Sequence, residues 1–153
     1  MDEPRGRSHL PTVIEVGIVE DVREIREGIR DFCNAQPQLH CDVVEESAES
    51  LLAKLTEETA PDVILMDIGL PGISGISAIK LIKESFPDVD VIMLTVYHDP
   101  HKIFQSLCAG ASGYLLKTTP FAEIKEAITV VRSGGAYMSP QIARKVIEFF
   151  QPG

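Results

Sequence analysis

The sequence predicts an α/β fold, an open parallel sheet with helices between its strands. Three observations predict it. Short apolar runs recur along the chain: GIV before Glu20, VILM before Asp67, VIML before Thr95 and GYLL before Lys117. Runs this short and this continuously apolar suit strands buried on both faces, as in parallel sheets. Between them lie segments with apolar residues at helical spacing, and such alternation assembles into one parallel sheet through right-handed crossovers. The chain also has the size and balance for it. At 153 residues, with 44% hydrophobic and 24% charged, it suits one domain with a full core.

Each element has its own local reason. Val13 to Val19 reads as the first strand, ended by Glu20 and Asp21. A helix from about Val22 to Cys33 follows, with Ile25, Ile29, Phe32 and Cys33 on one face. Gln36-Pro37-Gln38 breaks it, and Cys41 to Glu45 is a short second strand. Ser47 is placed to cap a helix to about Thr56, with Leu51, Leu52 and Leu55 inward. Pro61 opens the third strand, Asp62 to Met66, the most apolar and hence central. Leu70-Pro71-Gly72 turns the chain, and Ser74 starts a helix to about Ser85 with Ile76, Ile79, Ile82 and Phe86 as core positions. Val89 to Leu94 is the fourth strand. Asp99-Pro100 starts a helix that Gly110 ends, and Gly113 to Leu116 is the fifth strand. Thr119-Pro120 reads as a cap followed by proline in the first helical position, with Ile124, Ile128 and Val131 buried beyond it. After Gly134-Gly135, Ser139-Pro140 starts a last short helix carrying Ile142, Val146, Phe149 and Phe150. The expected organisation is a disordered leader over 1–12, a domain over 13–135 and a linker helix over 136–153.

Composition removes several function classes. A net charge of -9 makes the chain a poor binder of nucleic acid by itself, because phosphate-backbone affinity rests on Lys and Arg. Cys33, Cys41 and Cys108 have no CxxC spacing and read as reduced thiols of a cytosolic protein. No apolar run approaches membrane-spanning length, and the MDEPRGRSHLPT start lacks the apolar core of a signal peptide.

The polar residues at the strand ends carry the chemistry. In open α/β sheets ligands bind outside the carboxyl ends of the strands. There the sequence gathers Glu20, Asp21 and Asp67, the Thr95 hydroxyl and the Lys117 ammonium. Two carboxylates about 4 Å apart repel by roughly 4 kcal/mol at an effective dielectric near 20, so such a cluster raises a pKa or holds a cation. All-oxygen ligands select a hard cation, and Mg²⁺ fits best. Asp67 could attack phosphorus to form an acyl phosphate, and Lys117 is a compact charge suited to phosphate. Taken singly, each has a plainer explanation: a solvated strand-end acid, a surface lysine, a β-branched strand residue at Thr95, a core aromatic at Tyr114. His98 and His101 lack a third ligand and read as solvated.

Taken in order, these residues resemble the receiver domain of two-component response regulators. The resemblance covers Val13 to about Arg132 and joins the acidic pair, Asp67 with Pro71 and Gly75 downstream, Thr95, and Tyr114 three residues before Lys117. ASGYLLK and GGAYMSP resemble the NarL/FixJ subgroup, whose receivers precede a LuxR-type helix-turn-helix. The resemblance implies a flavodoxin-like, doubly wound sheet of five parallel strands in the order 2-1-3-4-5, with helices on both faces. It implies that Asp67 accepts a phosphoryl group from a sensor histidine kinase. It implies Mg²⁺ on Glu20 (by way of water), Asp21, Asp67 and the Gly69 carbonyl, with Lys117 on the phosphoryl oxygens. Thr95 and Tyr114 become the switch pair, and the last two helices with the fifth strand become a dimer surface. DNA would be reached only through a C-terminal domain that is absent here. The implied protein is a cytoplasmic switch that takes on and loses its own phosphoryl group, rather than a turnover enzyme. A stand-alone receiver serving as a phosphorelay shuttle is the alternative.

Three positions depart from the family pattern. Val96 follows the switch threonine where a small residue is common, Thr118 stands where many receivers have proline at a cis bond, and Gly69 has no side chain to screen an aspartyl phosphate. Rival functions are poorly served. A haloacid dehalogenase-type phosphatase needs an acid where Gly69 stands, and a nucleotide or flavin site needs a glycine-rich turn where Glu20-Asp21 stands. A receiver without phosphorylation would not need the full acceptor set.

Overall fold

The computed structural model describes residues 12–152. Its sheet has six parallel strands in the order β2-β1-β3-β4-β5-β6. They are β1 Ile14–Val19, β2 Leu39–Glu45, β3 Val63–Met66, β4 Asp90–Thr95, β5 Gly113–Leu116 and β6 Tyr137–Met138. The helices are α1 Arg23–Asn34, α2 Ala48–Lys54, α3 Gly75–Ser85, α4 Pro100–Ala109, α5 Phe121–Arg132 and α6 Pro140–Phe149.

Strand alternation divides the core between the two faces of the sheet. Val63 and Leu65 of β3 face the layer made by α1 and α5, where Ile29, Cys33, Ile124 and Ile128 pack. Ile64 and Met66 face the other layer, with Leu51, Ile79, Ile82, Ile103 and Ile142. A strand covered on both faces has no polar side, which is why β3 and β4 read as unbroken apolar runs. The local signals place the helix starts well. Ser47, Ser74 and Asp99 cap α2, α3 and α4, each accepting from the backbone amide three residues on. Gly110 ends α4 in the left-handed region at φ 119.

Three expectations need correction. The sheet has six strands rather than five, because Tyr137 and Met138 pair with Gly113 and Tyr114 on the outer edge of β5. The last segment is therefore a strand and a helix docked on the domain, with Ile142 fully buried, rather than a linker helix alone. The helix α5 starts at Phe121 with Pro120 as its extended cap, one residue later than Thr119 would have it, because the first helical bonds, from the Glu123 and Ile124 amides, go to the Pro120 carbonyl. The leader expected over 1–12 lies, apart from Thr12, outside the described residues. Among the described residues no helix is long and apolar enough to cross a membrane.

Candidate functional site

The parallel register sets the carboxyl ends of β1, β3, β4 and β5 side by side, and the site is built from the residues that follow them. The Asp67 amide donates to the Val19 carbonyl at 3.2 Å, and the Glu20 amide to the Glu45 carbonyl at 3.0 Å. These bonds extend the ladder just far enough to aim both carboxylates at one another. Glu20, Asp21 and Asp67 each offer an oxygen within 4.8 Å of the other two. Glu20 is 3% and Asp67 5% exposed, whereas Asp21 is exposed.

Lys117 reaches across the sheet into this cluster. Its ammonium lies 2.7 Å from Glu20 Oε1 and 3.0 Å from Asp67 Oδ2. Burial alone would pull its pKa down, but the two carboxylate bonds outweigh burial and hold it above the usual lysine value. Burial pushes the Glu20 carboxyl up, and the bonds from Lys117 and the Val22 amide offset only part of that rise. Glu20 Oε2 accepts from the Val22 amide at 3.0 Å, and the Glu20 carbonyl accepts from Arg26 Nη1 at 2.8 Å. The Gly69 amide donates to Asp67 Oδ1 at 3.3 Å.

Thr95 and Tyr114 join the site through one segment. Thr95 is fully buried and its backbone carbonyl accepts from the Lys117 amide at 2.9 Å. Its hydroxyl accepts from the Tyr97 amide at 3.4 Å. Tyr114 is fully buried and its hydroxyl donates to the Tyr97 carbonyl at 2.7 Å. Burial, with Asp99 and Asp67 adding to it, pushes the Tyr114 hydroxyl well above its ordinary pKa. Tyr97 is thus held by both residues. Its ring packs on Gly69, where an added Cβ would meet Tyr97 ring atoms at 3.0 Å. The Lys102 ammonium lies 5.2 Å from the ring centroid.

All the residues expected at this edge lie on it, and Glu20, Asp21, Asp67 and Lys117 converge directly. Val96 is largely exposed, and the side chain that lies over Gly69 is that of Tyr97. Among the described residues no peptide bond is cis, including the one to Thr118. His98 and His101 are exposed. The sequence reading passed over Tyr97 and Arg26. Nothing in their spacing announces them, because their contacts are made by loop and helix side chains that fold back onto the strand ends.

Residues 16–129 match the response regulator receiver domain. The chain belongs to the receiver-domain family of two-component response regulators. Among curated relatives, this receiver is 34% identical over 138 residues to the transcriptional regulatory protein DegU of Brevibacillus brevis, covering 90% of the chain and 58% of the relative. It is 37% identical over 136 residues to the transcriptional regulatory protein LiaR of Bacillus subtilis (strain 168), covering 88% and 64%. The chain thus spans about six-tenths of the length of these relatives. A crystal structure of a LuxR-family two-component response regulator from Aurantimonas sp. SI85-9A1 superposes with a TM-score of 0.83 at 30% identity, covering 90% of this chain and 98% of that one. The Salmonella typhimurium response regulator RcsB, solved in a study of its DNA interaction, shares the fold at a TM-score of 0.80 and 24% identity, over 89% and 68%.

Proposed function

We propose that this receiver is operated by phosphorylation of Asp67 and that the change is read at the Thr95–Tyr97–Tyr114 segment. One observation carries the reading: the Lys117 ammonium bridges two buried carboxylates, one of which, Asp67, is held between the ladder and the Gly69 amide. In the reaction an Asp67 oxygen bonds to phosphorus as the phosphorus–nitrogen bond of a kinase phosphohistidine breaks, the electron pair leaving on the imidazole nitrogen. Lys117 then pairs with phosphoryl oxygens in place of the Asp67 oxygen it now touches.

The donor set fits Mg²⁺, being three carboxylates with no His or Cys among them. Glu20, Asp21 and Asp67 would hold it, with the Gly69 carbonyl completing the site. Bound there, the ion would neutralise charge shared by nucleophile and phosphoryl group. Arg26 and the Val22 amide keep Glu20 oriented toward the cluster. The Tyr97 ring shelters the Gly69 side of Asp67.

A phosphoryl group adds about -1.5 to -2 charges and three acceptor oxygens. Thr95 is placed to donate to one of them once its hydroxyl turns from the Tyr97 amide. That turn releases one bond on Tyr97, whose carbonyl is held by Tyr114, so the fifth strand senses the change. The partner is a sensor histidine kinase, and the association surface lies around α4, α5 and β5. The relatives' names support an output in transcription. The domain is a cytoplasmic switch rather than a turnover enzyme.

Incubation with Mg²⁺ and phosphoramidate tests the reading. Intact-mass measurement should show one added phosphoryl group that is acid-labile and hydroxylamine-sensitive, and Asp67→Asn should show none. Equal labelling of Asp67→Asn would remove Asp67 as the acceptor.

A further inference from the structure

The loop between Asp67 and α3 is anchored at both ends by its own backbone. The Leu70 and Gly75 amides both donate to the Ile68 carbonyl, at 2.9 and 3.0 Å, and a Cβ at Gly75 would collide with the Asp67 carbonyl. The middle of the loop, Pro71 and Gly72, is exposed. Beside the packing of Leu70 and Ile73 on the core, one long-range hydrogen bond holds it: the Ile73 amide donates to Glu49 Oε2 at 2.8 Å. Gly72 lies against the same carboxylate, at φ 78, and an added Cβ there would collide with Glu49.

Glu49 is itself pinned. It sits in the first turn of α2, whose cap Ser47 accepts from the Ser50 amide at 3.1 Å and whose Ala48 and Leu51 are fully buried. The strand leading into that turn is bonded to the other half of the pocket, because the Glu45 carbonyl accepts from the Glu20 amide at 3.0 Å. Residues 45–49 therefore touch both the Glu20–Asp21 turn and the loop that follows Asp67.

We propose that Glu49 is a positioning residue for phosphoryl transfer at Asp67. Its carboxylate fixes the loop carrying Gly69 relative to the Glu20–Asp21 turn, and so sets the spacing of the groups that receive the phosphoryl group. This rests on the reading of Asp67 as phosphoacceptor. The bond to Ile73 needs an acceptor oxygen and not a charge, which separates positioning from a long-range charge effect. Glu49→Gln keeps the oxygen, and Glu49→Ala removes it.

The test combines labelling with phosphoramidate and Mg²⁺ with amide exchange at Ile73 in the full chain. Glu49→Ala should slow labelling about threefold to tenfold, the worth of one such hydrogen bond, and should speed exchange at Ile73. Glu49→Gln should restore both. Labelling slowed equally in Glu49→Gln and Glu49→Ala would make the effect one of charge and overturn the proposal, as would wild-type rates in Glu49→Ala. Wild-type protein that takes up no label would instead sink the phosphoacceptor reading and this inference with it. Faster Ile73 exchange with unchanged labelling would leave the hydrogen bond real and the positioning role refuted.

Discussion

At the scale of single residues, Lys117 decides how two buried acids coexist. Removing it leaves Glu20 and Asp67 facing one another without a counter-ion, and an uncompensated buried polar group costs about 1–3 kcal/mol. Lys117→Ala should lose roughly that much stability at pH 7 in urea melts. The loss should shrink as the pH falls toward 4.5. The Glu20 carboxyl lies above its ordinary 4.5 in the fold, so within that window the folded chain holds more protons than the unfolded one. Stability from this group is present below 4.5 and lost as pH rises through its folded value, and without Lys117 the window widens upward. An equal loss at pH 7 and pH 5 would argue against Glu20 as the group concerned. Calorimetry should show weak Mg²⁺ binding in the absence of phosphate, abolished in Asp21→Asn and retained in Lys117→Ala. Binding to the parent protein should weaken as Glu20 takes up its proton. These four residues were legible because each ends an apolar run. Tyr97 and Glu49 were not, because each meets the pocket through a contact with a residue more than twenty positions away.

At the scale of elements, the tail is the part the sequence described least well. Its helix start at Ser139-Pro140 was plain, since proline in the first turn is a strong local signal. Its strand was not, because two residues show no alternation and Tyr137–Met138 becomes a strand only by meeting the free edge of β5. The tail is held lightly. Within α6 only Ile142 is buried, while Phe149 and Phe150 are exposed beside Phe104 of α4. Ile142→Ala should therefore loosen β6 and α6 as a unit. Amide exchange over residues 140–149 should accelerate strongly while that of β3 stays near its original rate. A uniform change across the sheet would show instead that the tail is part of the global fold. The edge of β5 also bears on association: its outer side is paired with β6 and its Tyr114 and Leu115 are fully buried, so a partner at this face meets the elements around the strand and not its backbone edge.

At the scale of the whole molecule, an acidic chain takes on still more negative charge when it is phosphorylated, and solubility rather than fold is what its net charge governs. The response expected is a change of association. Phosphoramidate and Mg²⁺ should shift wild-type sedimentation toward a dimer, and Lys117→Ala should take up label without that shift. A dimer formed equally well by both would detach Lys117 from the switch. The sequence by itself determined the alternation of strands and helices, most of the caps and breaks, and which acids, hydroxyl and ammonium stand at the strand ends. It did so because burial periodicity and capping are local properties, written in residues a few positions apart. Only the tertiary structure decided that Lys117 bridges Glu20 and Asp67, that Tyr97 lies on Gly69 with its carbonyl held by Tyr114, that Glu49 grips the loop after Asp67, and that a sixth strand closes the edge of β5. Those contacts join residues that are distant along the chain, and they exist only once the sheet order has brought their elements together.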